Sequence, residues 1–111
     1  MSFQHKELAA GRWEKMSLCE QMANIGSEVS RALNWKKKGN EKFYRKAAER
    51  ALELLDLSLD VPARAFSKIR ELARLREAVV DYFYGSNQFG SSEVLWRKYF
   101  DHFGYAARKR S

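Results

Sequence analysis

The sequence predicts an all-α protein, an antiparallel up-down-up-down four-helix bundle preceded by a short N-terminal lead. Three observations carry that expectation. Four stretches place apolar residues at steps of three and four, the spacing of one helical face. One proline and six glycines in 111 residues leave few interruptions. No run alternates apolar and polar residues with period two, and no Asn-Gly or Asp-Gly hairpin turn occurs. Mostly short connections favour antiparallel neighbours. Residues 1–111 are expected to form a single domain, with 1–16 as the lead and 108–111 as a basic tail.

The lead is weakly patterned. Gly11 separates a candidate helical piece, Gln4 to Ala10, from RWEKM, and Trp13 and Met16 are expected to fold back onto the core. The first strong helix starts after Ser17, which with Glu20 has capping-box spacing. Its stripe is Leu18, Met22, Ile25, Val29 and Leu33, with Gln21, Asn24, Ser27, Glu28 and Arg31 on the other side. Lys36, Lys37 and Lys38 complement the macrodipole at its end, and Gly39 can turn left-handed beyond it.

Asn40 caps a second helix, about Glu41 to Leu57, with Phe43, Ala47, Ala51, Leu54 or Leu55 and Ser58 inward. Glu49, Glu53, Asp56 and Asp60 form an outer acidic stripe. Pro62 suits the first turn of a third helix, about Ala63 to Tyr84. Its inner face is Phe66, Ile69, Leu72 or Ala73, Val79 or Val80 and Phe83; Arg70, Arg74, Glu77 and Asp81 face outward. Gly85 ends it as the C′ residue, and Ser91 or Ser92 caps a fourth, about Glu93 to Ala107. That helix buries Leu95, Tyr99 or Phe100, Phe103 and Ala106 or Ala107. Gly26 and Gly104 would each cost about 1 kcal/mol relative to alanine. Close backbone packing between the first and fourth helices would offset that cost, unless Gly104 marks a fraying end.

A net charge of +7 and a pI near 9.7 favour polyanions, nucleic acid first and an anionic membrane surface second. The plainer use of the same residues is to keep helix faces wet. The bundle topology sharpens the choice by bringing four helix ends to one pole. That pole gathers Lys36, Lys37, Lys38, Lys42, Arg45 and Lys46 with Trp35, Tyr44, Tyr82, Tyr84 and Trp96. Cations beside aromatic rings suit RNA or single strands, through phosphate pairing and base stacking. The rings can equally be core or a protein interface. Arg64, Lys68, Arg108, Lys109 and Arg110 lie at the opposite pole.

Catalytic signatures are missing. There is no GxxxxGK[ST] or GxGxxG phosphate loop and no G-x-S-x-G elbow. Neither His5 nor His102 has the Glu-x-x-His spacing of di-iron bundles. One cysteine gives no internal disulfide and no zinc set. Cys19 occupies a first helical turn, where a thiol can be activated, but no histidine is near it in sequence. The acidic stripe lacks the desolvation that general acid chemistry requires. The expectation is a protein that is not an enzyme and holds no cofactor or metal. A buried, paired carboxylate or a metal inside the bundle would speak for an enzyme. No stretch approaches 18 apolar residues and the N-terminus lacks a long apolar segment, so no membrane association and a cytoplasmic location are expected.

The segments SLCEQMANIGSEVSRALNWKKKG, AAERALELLDLSL, RLREAVVDYFYG and KYFDHFGYAAR resemble those of small bacterial proteins of diversity-generating retroelement loci. In size, charge and inferred architecture the chain is similar to the accessory variability protein (Avd) bundles of those loci. The resemblance implies a non-catalytic accessory factor that binds a reverse transcriptase and its template RNA, with RNA favoured over DNA, and that assembles as a homo-oligomer. It supplies no catalytic residues. The competing readings are a protein-interaction scaffold whose basic faces meet acidic partners, and a small regulator that does not bind nucleic acid.

Overall fold

A computed structural model describes residues 11–110, with side chains described as far as Tyr105. A 3₁₀ turn, Trp13–Lys15, leads into four helices: α1 (Leu18–Lys37), α2 (Glu41–Leu59), α3 (Phe66–Phe83) and α4 (Glu93–Arg110). Among the described residues there is no strand, and the helix contacts fit the four-helix bundle predicted from periodicity. The candidate helix at Gln4–Ala10 and the side chains of the basic tail lie outside the described residues. None of the helices described is long and apolar enough to cross a membrane.

Local chemistry sets the helix ends. At the start of α1 both halves of the capping box form: Ser17 Oγ accepts from the Glu20 N–H at 3.1 Å, and Glu20 Oε1 accepts from the Ser17 N–H at 3.3 Å. Gly39 takes a φ of +74° after α1, a left-handed conformation that costs glycine little. Asn40 Oδ1 then caps α2 by accepting from the Phe43 N–H at 3.1 Å. Ser92 caps α4, its Oγ accepting from the Leu95 N–H at 3.2 Å. Gly85 occupies the position after the Tyr84 C-cap, and its N–H reaches the carbonyls of Val80 and Asp81 at 3.1 Å.

The core is Met22, Ile25, Val29, Ala32 and Leu33 of α1 against Ala47, Ala48, Ala51, Leu54 and Leu55 of α2. Leu72, Leu75, Val79 and Phe83 of α3, and Trp96 and Phe100 of α4, complete it. Helix α1 packs on both α2 and α4, and α2 also packs on α3. At Gly26 α1 and α4 pack closely: a Cβ there would lie 2.8 Å from the Phe100 side chain. Trp13 does fold back, becoming fully buried, and its indole N–H donates to Ser58 Oγ at 2.9 Å.

Several expectations fail for definite reasons. Gln21 and Glu28, assigned to the outer side of α1, are buried. A helix flanked by α2 on one side and α4 on the other has a buried arc wider than a single stripe. Gln21 is satisfied there by donating to the Trp13 carbonyl at 2.9 Å and accepting from Arg64 at 2.6 Å. Glu28 accepts from Arg31 at 2.9 Å and Arg50 at 3.0 Å. Glu53 of the acidic stripe is also buried.

Helix α2 continues to Leu59, two residues beyond the expected Leu57. Helix α3 begins at Phe66, not Ala63, because Pro62 sits in a turn and Ala63 has a φ of +59°, which no right-handed helix can contain. Phe66, Phe43 and Leu95, expected inside, are exposed at their helix starts, at the margin of the bundle.

A candidate nucleic-acid interface

The end of α1, the start of α2, the end of α3 and the start of α4 meet at one pole, as the topology requires. Lys37 Nζ of α1 pairs with Glu93 of α4 at 3.3 Å. The Tyr84 hydroxyl, just past α3, donates to the Arg45 carbonyl of α2 at 3.0 Å. Lys36 Nζ lies 5.0 Å from the Tyr44 ring centroid and 5.4 Å from that of Tyr82, joining three helices through cation–π contacts.

The six basic residues singled out from sequence divide into two groups. Lys36, Lys37 and Arg45 are partly committed to the fold. Arg45 pairs with Glu41 at 3.0 Å and lies over the Tyr84 ring at 5.2 Å. Lys38, Lys42 and Lys46 are exposed and make no ion pair among the described residues. Lys42 and Lys46 are one helical turn apart, about 6 Å along the axis. Lys38 Nζ sits 5.0 Å from the Trp35 ring centroid.

The rings divide similarly. Trp96 is buried, stacked on Phe100 and edge-on to Tyr82, so it cannot meet a base. Tyr44 and Tyr82 pack against Phe83. Trp35 is half-buried and packs against Phe43, with ring centroids 4.7 Å apart and planes tilted by 57°. Phe43 is 40% exposed. Sequence reasoning assigned Phe43 to the core and so missed this surface pair. The available signal was its place in the first turn of α2, where the last turn of α1 covers it only in part. Lys46, three residues after Phe43, falls on the same side of α2.

Two other pole residues were not anticipated as partners. Glu93 accepts from Arg97 at 2.9 Å as well as from Lys37. The Arg97 hydrogen bond, then Lys37, hold its carboxyl below the usual range against a smaller opposing effect of desolvation. Arg97 also donates to Ser30 Oγ at 2.9 Å and Asn34 Oδ1 at 2.7 Å, fastening α4 to α1. Burial, followed by the charge of Glu93, raises the Tyr82 phenol, and burial then Glu49 raises that of Tyr84.

At the opposite pole two cations among the described residues, Arg64 and Lys68, are used internally. Arg64 bonds to Gln21, and Lys68 pairs with Glu71 at 3.8 Å. Glu28 is a buried, paired carboxylate, and both of its partners, Arg31 and Arg50, are arginines. His102 is exposed, its ring against Phe103 at 5.4 Å. Among the described residues no group of three His, Cys, Asp or Glu side chains could hold a metal ion.

This architecture and pole define a small basic helical bundle with an aromatic-flanked cationic surface. No protein-family model matches the chain, and neither a curated protein nor a solved structure matches it. The likeness to retroelement accessory proteins is thus an expectation from sequence, size, charge and inferred architecture, to which these comparisons add nothing.

Proposed function

We propose that this protein is a non-catalytic accessory factor that binds nucleic acid, RNA in preference to duplex DNA. The observation that carries the reading is the partly exposed Trp35–Phe43 pair, with Lys38 over the Trp35 ring and the exposed Lys42 and Lys46 on the same stretch of α2 as Phe43. Aromatic faces offer stacking to unpaired bases, each worth about 1–3 kcal/mol, while lysines meet phosphates. Duplex DNA keeps its bases stacked and would use only the cations. The sequence resemblance adds the context: a reverse transcriptase as protein partner, its template RNA as ligand, and a homo-oligomeric assembly.

The test is binding of the purified chain to a structured RNA and to duplex DNA, followed by fluorescence anisotropy across a salt series. Binding is expected to favour RNA and to weaken steeply with salt. Lys42→Glu with Lys46→Glu should lower affinity and flatten the log–log salt slope by about 0.7–0.9 for each phosphate that is no longer neutralised. No binding at about 100 mM salt, where phosphate contacts still register, would overturn the reading in favour of a protein scaffold. Unchanged binding by the double variant would overturn the residue assignment.

A further inference from the structure

Close helix contacts join α1 to α2 and α4, and α2 to α3, whereas α3 and α4 stand far enough apart to leave a cleft of about 320 Å³. Its lining is apolar: Leu75 and Ala78 from α3, and Leu95, Trp96 and Tyr99 from α4. Leu95 is 56% exposed, a large aliphatic side chain left in solvent at the mouth of an apolar cleft. The lining spans about two turns of α3 and little more than one of α4, so the opening is a short trough between two rods and offers no strand edge. A third helix laid along it would sit as bundle helices do, about 8–10 Å from each neighbour.

The charges around the cleft select the occupant. Glu71 is the acidic residue in its lining, and it is already taken up by Lys68 Nζ at 3.8 Å and the Tyr99 hydroxyl at 3.3 Å. Arg74 on the α3 wall is exposed and makes no ion pair among the described residues; neither does Lys98, which neighbours Tyr99 on α4. Arg70, one turn before Arg74, places its guanidinium 5.9 Å from the Phe66 ring and is exposed too. Glu77, beside Ala78 on α3, is exposed and likewise makes no ion pair among the described residues, so the unpaired charge of Arg70, Arg74 and Lys98 against Glu77 is net positive. A second copy would bring another net charge of +7 against it.

We propose that the α3–α4 cleft docks an amphipathic helix of a partner protein, with apolar residues at i, i+3 or i+4 and i+7 in the cleft and Asp or Glu on its flanks. The acidic flanks meet Arg74 and Lys98 while the apolar edge covers Leu95 and reaches Leu75 and Ala78. This site is separate from the nucleic-acid surface, which lies on the Trp35–Phe43 side.

The test uses the full chain as target for a phage-displayed library of 20-residue helical peptides, with counter-selection on the Leu95→Asp variant. Recovered peptides should share the helical apolar spacing and carry net negative charge. As free labelled peptides they should bind wild type at least tenfold more tightly than Leu95→Asp, or than Arg74→Glu with Lys98→Glu. Circular dichroism should show both variants as helical as wild type, since the changed side chains are exposed. The Lys42→Glu, Lys46→Glu variant should keep peptide binding, and the Arg74→Glu, Lys98→Glu variant should keep RNA binding. The two surfaces thus fail separately.

Enrichment of basic or unpatterned peptides would overturn the proposal, as would no enrichment over the counter-target. If wild type sediments as an oligomer that Leu95→Asp dissociates, a second copy fills the cleft and the proposal falls. Loss of RNA binding in the Arg74→Glu, Lys98→Glu variant would assign the rim to nucleic acid and overturn it as well.

Discussion

The two ends of the bundle are built from the same ingredients and put them to opposite uses. Each has an indole close to basic side chains. At the Trp13 end the indole is fully buried, its N–H bonds to Ser58, and the Trp13 carbonyl is held by the Gln21 amide. Gln21 in turn accepts from Arg64 at 2.6 Å, and burial lowers the guanidinium pKa from its usual value. At the Trp35 end the indole lies half in solvent under Lys38, while Lys42 and Lys46 make no ion pair among the described residues. A buried polar group must find a partner inside the protein or cost the fold about 1–3 kcal/mol. An exposed one leaves its hydrogen bonds to water, which a phosphate can displace. Aromatic-plus-basic composition does not distinguish these cases; the destination of the polar atoms does.

The largest effect expected from this contrast is on stability. Trp13→Ala should cost about 3–5 kcal/mol, the usual range for emptying a buried aromatic site. At about 4–8 °C of Tm per kcal/mol for a domain of this size, melting should fall by well over 10 °C. Trp35→Ala leaves a partly open surface and should cost less than half as much, while weakening RNA binding. Thermal melts of the two variants, with RNA titrations of each, check the pair. Equal Tm losses would remove the distinction between a structural and a displayed indole.

An intermediate effect separates the cations. Arg64→Gln breaks the hydrogen bond that satisfies Gln21 Oε1 and leaves a buried acceptor behind. It should cost about 1–2 kcal/mol in chemical denaturation, because Arg64 is only partly buried and solvent can replace some of the missing interaction. Lys42→Gln should stay within about 0.5 kcal/mol of wild type, as surface substitutions usually do, yet reduce RNA affinity. A destabilising Lys42→Gln, or an Arg64→Gln that weakens RNA binding without destabilising, would reverse the assignment of the two ends.

Much of the fold was legible because its signals are local. Ser17 and Glu20, Gly39, Asn40 and the α1 stripe each specify backbone within one or two turns, and the structure places them as read. Failures came where burial depends on which helices flank which. Gln21, Glu28 and Glu53 look like a solvent face on a helical wheel, but the neighbouring helices enclose them. Phe43, Phe66 and Leu95 look like core on the same wheel, yet each lies in the first turn of a helix, where neighbours cover it only in part. The delayed start of α3 traces to the left-handed Ala63, a conformation an alanine rarely adopts and no pattern announces. The basic pole could be placed from topology. Which of its six cations remain available could not, since Lys37–Glu93 and Lys36–Tyr82 are contacts between residues more than 45 positions apart.

The smallest expected effect sits at Glu93, the carboxylate that ties the pole cation Lys37 of α1 to α4. Glu93 in the folded protein has a pKa below its ordinary value of 4.5, chiefly through Arg97 and then Lys37. A depressed carboxyl contributes stability that is present above the unfolded pKa and lost as pH falls through the folded one. Stability should therefore decline below about pH 4.5, and Glu93→Gln should remove part of that decline, measured as Tm between pH 3 and pH 7. The same substitution releases Lys37 at neutral pH. If the pole binds phosphates, Glu93→Gln should steepen the RNA salt slope by up to about 0.7–0.9, the value of one further phosphate neutralised, at little cost in stability. A flattened acid limb with no change in RNA binding would mean that Lys37 serves the fold alone, confining the interface to Lys38, Lys42 and Lys46.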